Sequence, residues 1–189
     1  MSRIDSEKWD RKYANQAKSS IPAPPEWLLD HVESLQKGRA IDLATGLGST
    51  AIELAKRGWN VLGLDISRVG IQLAAEHAKR VRVCVDWLVA DLDRYSLPVS
   101  CFDLITVFNF LDRRRLPSQI FNALRPGGML VFETYTIDQL RIPNNHLRNP
   151  DHLLKPGELF TLFRDLRIRA YREVVRADRA IASLLAEKP

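Results

Sequence analysis

Apolar runs of strand length alternate with stretches of helical spacing along most of the chain. Ala40-Ile41-Asp42-Leu43-Ala44 is short and apolar and leads into a turn bearing two glycines. Ala51, Ile52, Leu54 and Ala55 then recur at helical spacing. Asn60 to Leu64 reads as a second strand. Ser67 is placed to cap the next helix, which turns Val69, Leu73 and Ala74 inward. Asp86 to Ala90 predicts a third strand. Phe102 to Phe108 is a fourth, so continuously apolar that both of its faces should be buried. Leu116, Ile120 and Leu124 follow at i, i+4 and i+8; Pro126-Gly127-Gly128 stops that helix, and Met129 to Tyr135 is a fifth strand.

Strands alternating with helices imply a parallel sheet covered by helices on both faces, with ligands beyond the carboxyl ends of the strands. The last third departs from this rhythm. Thr136 to Lys155 is polar and without clear periodicity, the length of a lid. Asn144, Asn145, Arg148 and the Leu153-Leu154 pair are its candidates for closing over a substrate. A short helix near Glu158 to Phe163 follows. Two further strands, Leu166 to Val175 and Arg179 to Ala186, are separated only by Arg176-Ala177-Asp178, which predicts an antiparallel hairpin.

The length of 189 residues suits one domain, and 46% hydrophobic with 27% charged residues is ordinary globular composition. No apolar run approaches the roughly 18 residues of a membrane helix. The opening Met-Ser-Arg-Ile-Asp-Ser-Glu-Lys lacks the apolar core of a signal peptide, so a cytoplasmic location is expected. Cys84 and Cys101 have no zinc-ligand spacing; no metal is expected, and both read as small hydrophobes in a reducing compartment. The net charge is +5. Arg113-Arg114-Arg115 is the densest basic cluster, and acids interleave with the C-terminal arginines. This reads as solvated surface rather than a nucleic-acid face.

Candidate chemistry gathers at the strand ends. Gly46-x-Gly48-x-x-Ala51 fits the fingerprint of a turn that admits a ligand close to the backbone at a helix N-terminus. Asp65 ends the second strand, where a carboxylate can accept both hydroxyls of a ribose. Asp91 follows the third strand, where it could accept an adenine amine or cap a turn. With Asp42 ending the first strand, the fold would bring three acids to one sheet edge. That edge would repel a pyrophosphate and suits a cationic cofactor. S-adenosylmethionine offers an ammonium, a sulfonium, a ribose and an adenine to such a set.

The chain resembles the class I S-adenosylmethionine-dependent methyltransferases along nearly its whole length. The carriers are Asp42-Leu43-Ala44-Thr45-Gly46-Leu47-Gly48, Val61-Leu62-Gly63-Leu64-Asp65-Ile66-Ser67, Ala90-Asp91-Leu92, Phe102-Asp103-Leu104-Ile105 and Leu124-Arg125-Pro126-Gly127-Gly128. Trp9-Asp10-x-x-Tyr13, Asn149-Pro150-Asp151 and Ala182-Ser183-Leu184-Leu185-Ala186 are most similar to the tellurite-resistance type of small-molecule methyltransferase. Leu47-Gly48-Ser49-Thr50 departs from the charged run common there. The resemblance implies an α/β, Rossmann-like, seven-stranded and mostly parallel sheet ending in the antiparallel hairpin. It implies one methyltransferase domain over 1–189: helices and cover in 1–37, the cofactor core in 38–135, lid and hairpin in 136–189.

Residue by residue, it implies that Gly46 and Gly48, with Ala44 beside them, pass the methionine moiety and that Asp42 lies near its ammonium. Asp65 would hold the ribose, Ile66 the adenine face, and Asp91 with the Leu92 N–H the adenine edge. Phe108 and Asn109 would sit near the sulfonium, under a cover of Trp9 and Tyr13. Tyr135, His146 and His152 lie on the expected rim without an assigned role. Val107-Phe108-Asn109-Phe110 lacks the Asp/Asn-Pro-Pro-aromatic run of nucleic-acid amino methylation. A small-molecule acceptor is therefore expected. Two alternatives stay open: a binding module that keeps the pocket without turnover, and a nicotinamide-dependent oxidoreductase. The second is disfavoured because Asp42 precedes the glycines and no separate catalytic domain follows.

Overall fold

Seven strands form one sheet: β1 (Arg39–Leu43), β2 (Asn60–Asp65), β3 (Asp86–Val89), β4 (Phe102–Phe108), β5 (Leu124–Tyr135), β6 (Arg167–Val175) and β7 (Ala180–Glu187). The computed structural model describes residues 3–15, 21–143, 145 and 147–189. The spatial order of the strands is β3-β2-β1-β4-β5-β7-β6. β1 pairs in parallel with β2 and β4, β2 with β3, and β4 with β5. β7 runs antiparallel to both β5 and β6, so it alone is reversed. The parallel sheet closed by an antiparallel hairpin is the architecture expected from the sequence.

Among the described residues six α-helices accompany the sheet: α1 (Arg3–Ala14), α2 (Glu26–Val32), α3 (Ser49–Lys56), α4 (Arg68–Arg80), α5 (Leu116–Ala123) and α6 (Glu158–Leu162). Burial of apolar side chains on both faces holds the layers together. Trp27, Leu28 and Val32 of α2 join Ala51 and Leu54 of α3 against Val61, Leu104 and Val131. On the other face Leu116 and Ile120 of α5 and Leu159 of α6 meet Ile105, Val107 and Phe132. β4 thus contributes to both cores, the reason its sequence is apolar without alternation.

Three local expectations need correction. Ser67 does cap α4, its hydroxyl accepting from the Gly70 N–H, but the buried stripe is Ile71, Ala74 and Ala78. Val69 and Leu73 are only half-buried. Helix α5 ends at Ala123; Leu124 is already extended and opens β5, two residues before Pro126.

The third correction concerns 136–155, whose described residues carry secondary structure that the sequence did not announce. Short 3-10 helices span Ile137–Arg141 and Pro150–His152, and Thr136 bridges to Leu154. Leu153 and Leu154 belong to the core, and Asn145 is buried, its carbonyl oxygen accepting from the Gln139 side chain and the Leu147 N–H. Arg148 is exposed, while Asn144 and His146 lie outside the described residues. Arg113, read from sequence as solvated charge, ties this segment down. Its guanidinium donates to both Glu158 carboxylate oxygens, at 2.6 and 3.0 Å, and to the carbonyls of Asp151 and Leu153.

Candidate functional site

The carboxyl ends of β1, β2 and β4 open into a cavity of about 310 Å³. The backbone there is shaped by left-handed residues. Ala44 (φ 55°) follows β1 and Asn109 (φ 56°) follows β4, and both line the cavity. Alanine in this region costs about 1–2 kcal/mol, a strain that turns the chain sharply into the glycine loop. Gly46 (φ 56°) continues the turn, and its N–H donates to Asp65 Oδ2 at 2.8 Å.

Two buried carboxylates form the floor. Asp42, 2% exposed, accepts from Thr45 Oγ1 at 2.5 Å and from Thr106 Oγ1 at 2.7 Å. Burial pushes its carboxyl up to about 6; the two hydroxyls oppose the shift and the nearby Asp65 charge adds to it. Asp65, 4% exposed, spends one oxygen on the Gly46 N–H and the other on the Ser67 N–H. Burial raises it too, against those amide bonds. Among the described residues neither acid is part of an ion pair.

Helix α1 forms the roof. Trp9 and Tyr13 stack with ring centroids 5.6 Å apart, and Lys12 Nζ lies 4.2 Å from the centre of the Trp9 ring. Tyr13 fits closely because two glycines lie beneath it. A Cβ on Gly46 would come within 2.9 Å of its hydroxyl, and one on Gly70 within 2.9 Å of its ring. Burial raises the Tyr13 phenol, with the Asp65 charge as second cause, so it stays neutral. Burial, helped by Lys8, lowers Lys12. Ile66, Leu92, Phe108, Phe110, Pro22 and Pro25 supply apolar walls.

Of the residues singled out from the sequence, Trp9, Tyr13, Asp42, Ala44, Gly46, Asp65, Ile66, Leu92, Phe108 and Asn109 line this one cavity. Gly48 and Asp91 do not. Gly48 (φ 80°) starts α3, and a Cβ there would meet Trp87 and Ala74 rather than the cavity. Asp91 turns its Oδ1 to the Asp93 N–H and its carbonyl to the amides of Arg94 and Tyr95. Tyr135 and His152 also lie off the cavity, and His146 is outside the described residues.

Several site residues escaped the sequence reading. Lys12 follows Trp9 by three positions, so helical spacing could have found it. Thr106 stands opposite Asp42 in the β1–β4 register, a pairing that only the sheet reveals. Asp10 sits within the quoted Trp9-Asp10-x-x-Tyr13 stretch, but its partners are far along the chain.

Residues 40–128 match a family model described as a methyltransferase domain. The Ubiquinone biosynthesis O-methyltransferase of Bordetella avium is 23% identical over 156 residues, covering 73% of this chain and 65% of that protein. The Demethylmenaquinone methyltransferase of Thermus thermophilus is 33% identical over 99 residues, covering 49% and 45%. The chain therefore spans about half to two thirds of the length of the curated relatives it matches. Among solved structures, the N-methyltransferase NodS from Bradyrhizobium japonicum, in complex with S-adenosylhomocysteine, superimposes with a TM-score of 0.76 at 18% identity. The match covers 97% of this chain and 98% of that one. TehB from Haemophilus influenzae gives 0.73 at 20%, covering 96% and 67%. At these identities the likeness is one of fold, the Rossmann-like fold of S-adenosylmethionine-dependent methyltransferases with its reversed strand next to the sheet edge.

Proposed function

We propose that the protein is a methyltransferase that moves a methyl group from S-adenosylmethionine to a small-molecule acceptor. The observation that carries this reading is the floor of the cavity: Asp42 and Asp65, both buried and both held by neutral donors. Buried charge is costly unless paired. A ligand bringing an ammonium, a sulfonium and ribose hydroxyls relieves that cost, whereas a pyrophosphate would add to it. The methyltransferase-domain match over 40–128 supports the same reading.

In this proposal Asp42 faces the ammonium and the turn at Ala44 and Gly46 cradles the methionine part. Asp65 accepts from the ribose, and Ile66 with Leu92 holds the adenine. Asp91, off the cavity, reaches the adenine edge only through the Leu92 turn, and Gly48 serves by shaping the start of α3. Once bound, S-adenosylmethionine supplies an electrophilic methyl group on sulfur. The chain's own part is alignment and exclusion of water. Phe108 and Phe110 wall the reacting side, Asn109 presents its backbone turn there, and the α1 roof closes the cavity.

The acceptor is proposed to be small. The relatives named Ubiquinone biosynthesis O-methyltransferase support an oxygen nucleophile, and the apolar walls suit a ring that carries one. The finer likeness to the tellurite-resistance type adds soft anions to the candidates. The test is release of S-adenosylhomocysteine from S-adenosylmethionine across a panel of phenols, thiols, selenite, tellurite and small amines. Turnover with one class is expected. Tight binding of S-adenosylmethionine without turnover on any acceptor would favour a binding module, and no binding at all would overturn the proposal.

A further inference from the structure

We infer that Asp10 is a positioning residue that latches α1 over the cavity and so sets how long a ligand stays inside. Asp10 does not line the cavity. Its Oδ1 accepts from Ser67 Oγ at 2.5 Å and from the Val69 N–H at 3.1 Å. Both donors belong to the start of α4, where spare amides and the helix dipole favour a carboxylate. Ser67 Oγ in turn accepts from the Gly70 N–H at 3.0 Å, so Asp10 ends a chain of bonds rooted in α4. A second, weaker tie runs from Ser6 Oγ to the Ile66 carbonyl at 3.3 Å.

Helix α1 offers few apolar side chains for packing. Its sequence, RIDSEKWDRKYA, is mostly polar, and Ile4 is 73% exposed. Together with the Trp9 and Tyr13 rings, these polar ties attach α1 to the same turn that carries Asp65 and Ile66. Trp9, Lys12 and Tyr13 come with the helix: when α1 lifts, the roof lifts as one piece. Asp10 therefore acts on ligand release without touching the ligand.

The ligand half of this inference rests on the adenosyl reading above; the latch half does not. The test compares the full chain with Asp10→Ala and Asp10→Asn. Hydrogen exchange of residues 4–14 is read without ligand, and dissociation of labelled S-adenosylhomocysteine is read by displacement. The expected result is about tenfold faster exchange in α1 for Asp10→Ala, with Asp10→Asn in between and the β4 amides unchanged. Ligand dissociation should quicken by about tenfold, with association altered less than about twofold. Equal α1 exchange in wild type and both variants overturns the latch. Faster exchange with unchanged dissociation overturns its effect on residence. A wild type that binds no S-adenosylhomocysteine overturns the adenosyl reading, and the exchange arm still judges the latch.

Discussion

Lowering the pH from 7 to 5 should weaken binding of S-adenosylhomocysteine about tenfold, through Asp42. Burial holds the free Asp42 carboxyl at about 6. A ligand ammonium beside it favours the charged form, so binding draws on the ionised fraction. The apparent Kd then scales as one plus the ratio of protonated to ionised Asp42. That factor is about 1.1 at pH 7 and about 11 at pH 5, a difference of ~1.4 kcal/mol. Because the ligand lowers the carboxyl's proton affinity, strong binding is present above pH 6 and lost below it. Near pH 6, complex formation should release about half a proton. Calorimetry in buffers of different ionisation enthalpy measures both quantities. Asp42→Asn keeps the size and an acceptor for one of the two threonine hydroxyls, its NH2 donating to the other, and removes the titration. It should bind more weakly at pH 7 and show a flat profile. Asp65→Asn should bind weakly yet keep a step, moved below pH 6 because the Asp65 charge no longer raises Asp42. A wild-type Kd equal at pH 5 and pH 7, or a step that survives in Asp42→Asn, refutes the reasoning.

Asp65→Ala should cost about 1.5–3 kcal/mol of ligand affinity, roughly 10- to 150-fold, by titration calorimetry on the folded variant. Gly48→Ala should lower the urea midpoint by an amount worth about 1–3 kcal/mol, because its Cβ would lie 2.7 Å from the Trp87 ring in a left-handed backbone. Arg113→Ala should lose about 1 kcal/mol of stability, since the pair with Glu158 is partly exposed, and should raise hydrogen exchange across 150–158. Arg113 holds the Glu158 carboxyl below its usual 4.5, so that stabilisation is present above this value and lost as pH falls through the lowered one. Wild type and variant should therefore converge in acid. Asp42 acts on folding in the opposite sense. Its proton binds at about 6 in the fold and near 3.8 when unfolded, so between those values its own contribution to stability rises as pH falls, measurable as the difference from Asp42→Asn.

How much of this was legible depends on the reach of each interaction. β4 was read to the residue, Phe102 to Phe108, because burial on both faces leaves a continuous apolar run. The Ser67 cap was legible because capping is local chemistry. The i+8 spacing carried α5 one residue too far, since a buried leucine such as Leu124 fits a helix face and a strand start alike. Segment 136–155 looked like a lid because its composition is polar. What anchors it is Arg113, 45 positions before Glu158, and no local pattern announces such a pair. Gly48 and Asp91 show a related gap: a motif marks where along the chain a residue stands and leaves its direction open. Asp10 was visible and its purpose was not, because Ser67 lies 57 residues away.

The place of β7 has a consequence for how the molecule is made. β6 is synthesised first, yet its seat in the sheet is defined only by β7, which threads between it and β5. On the ribosome the outer side of β5 must stay bare until residues 180–187 have emerged. For that interval the nascent chain carries an open strand edge, the surface on which chains cross-pair with their neighbours.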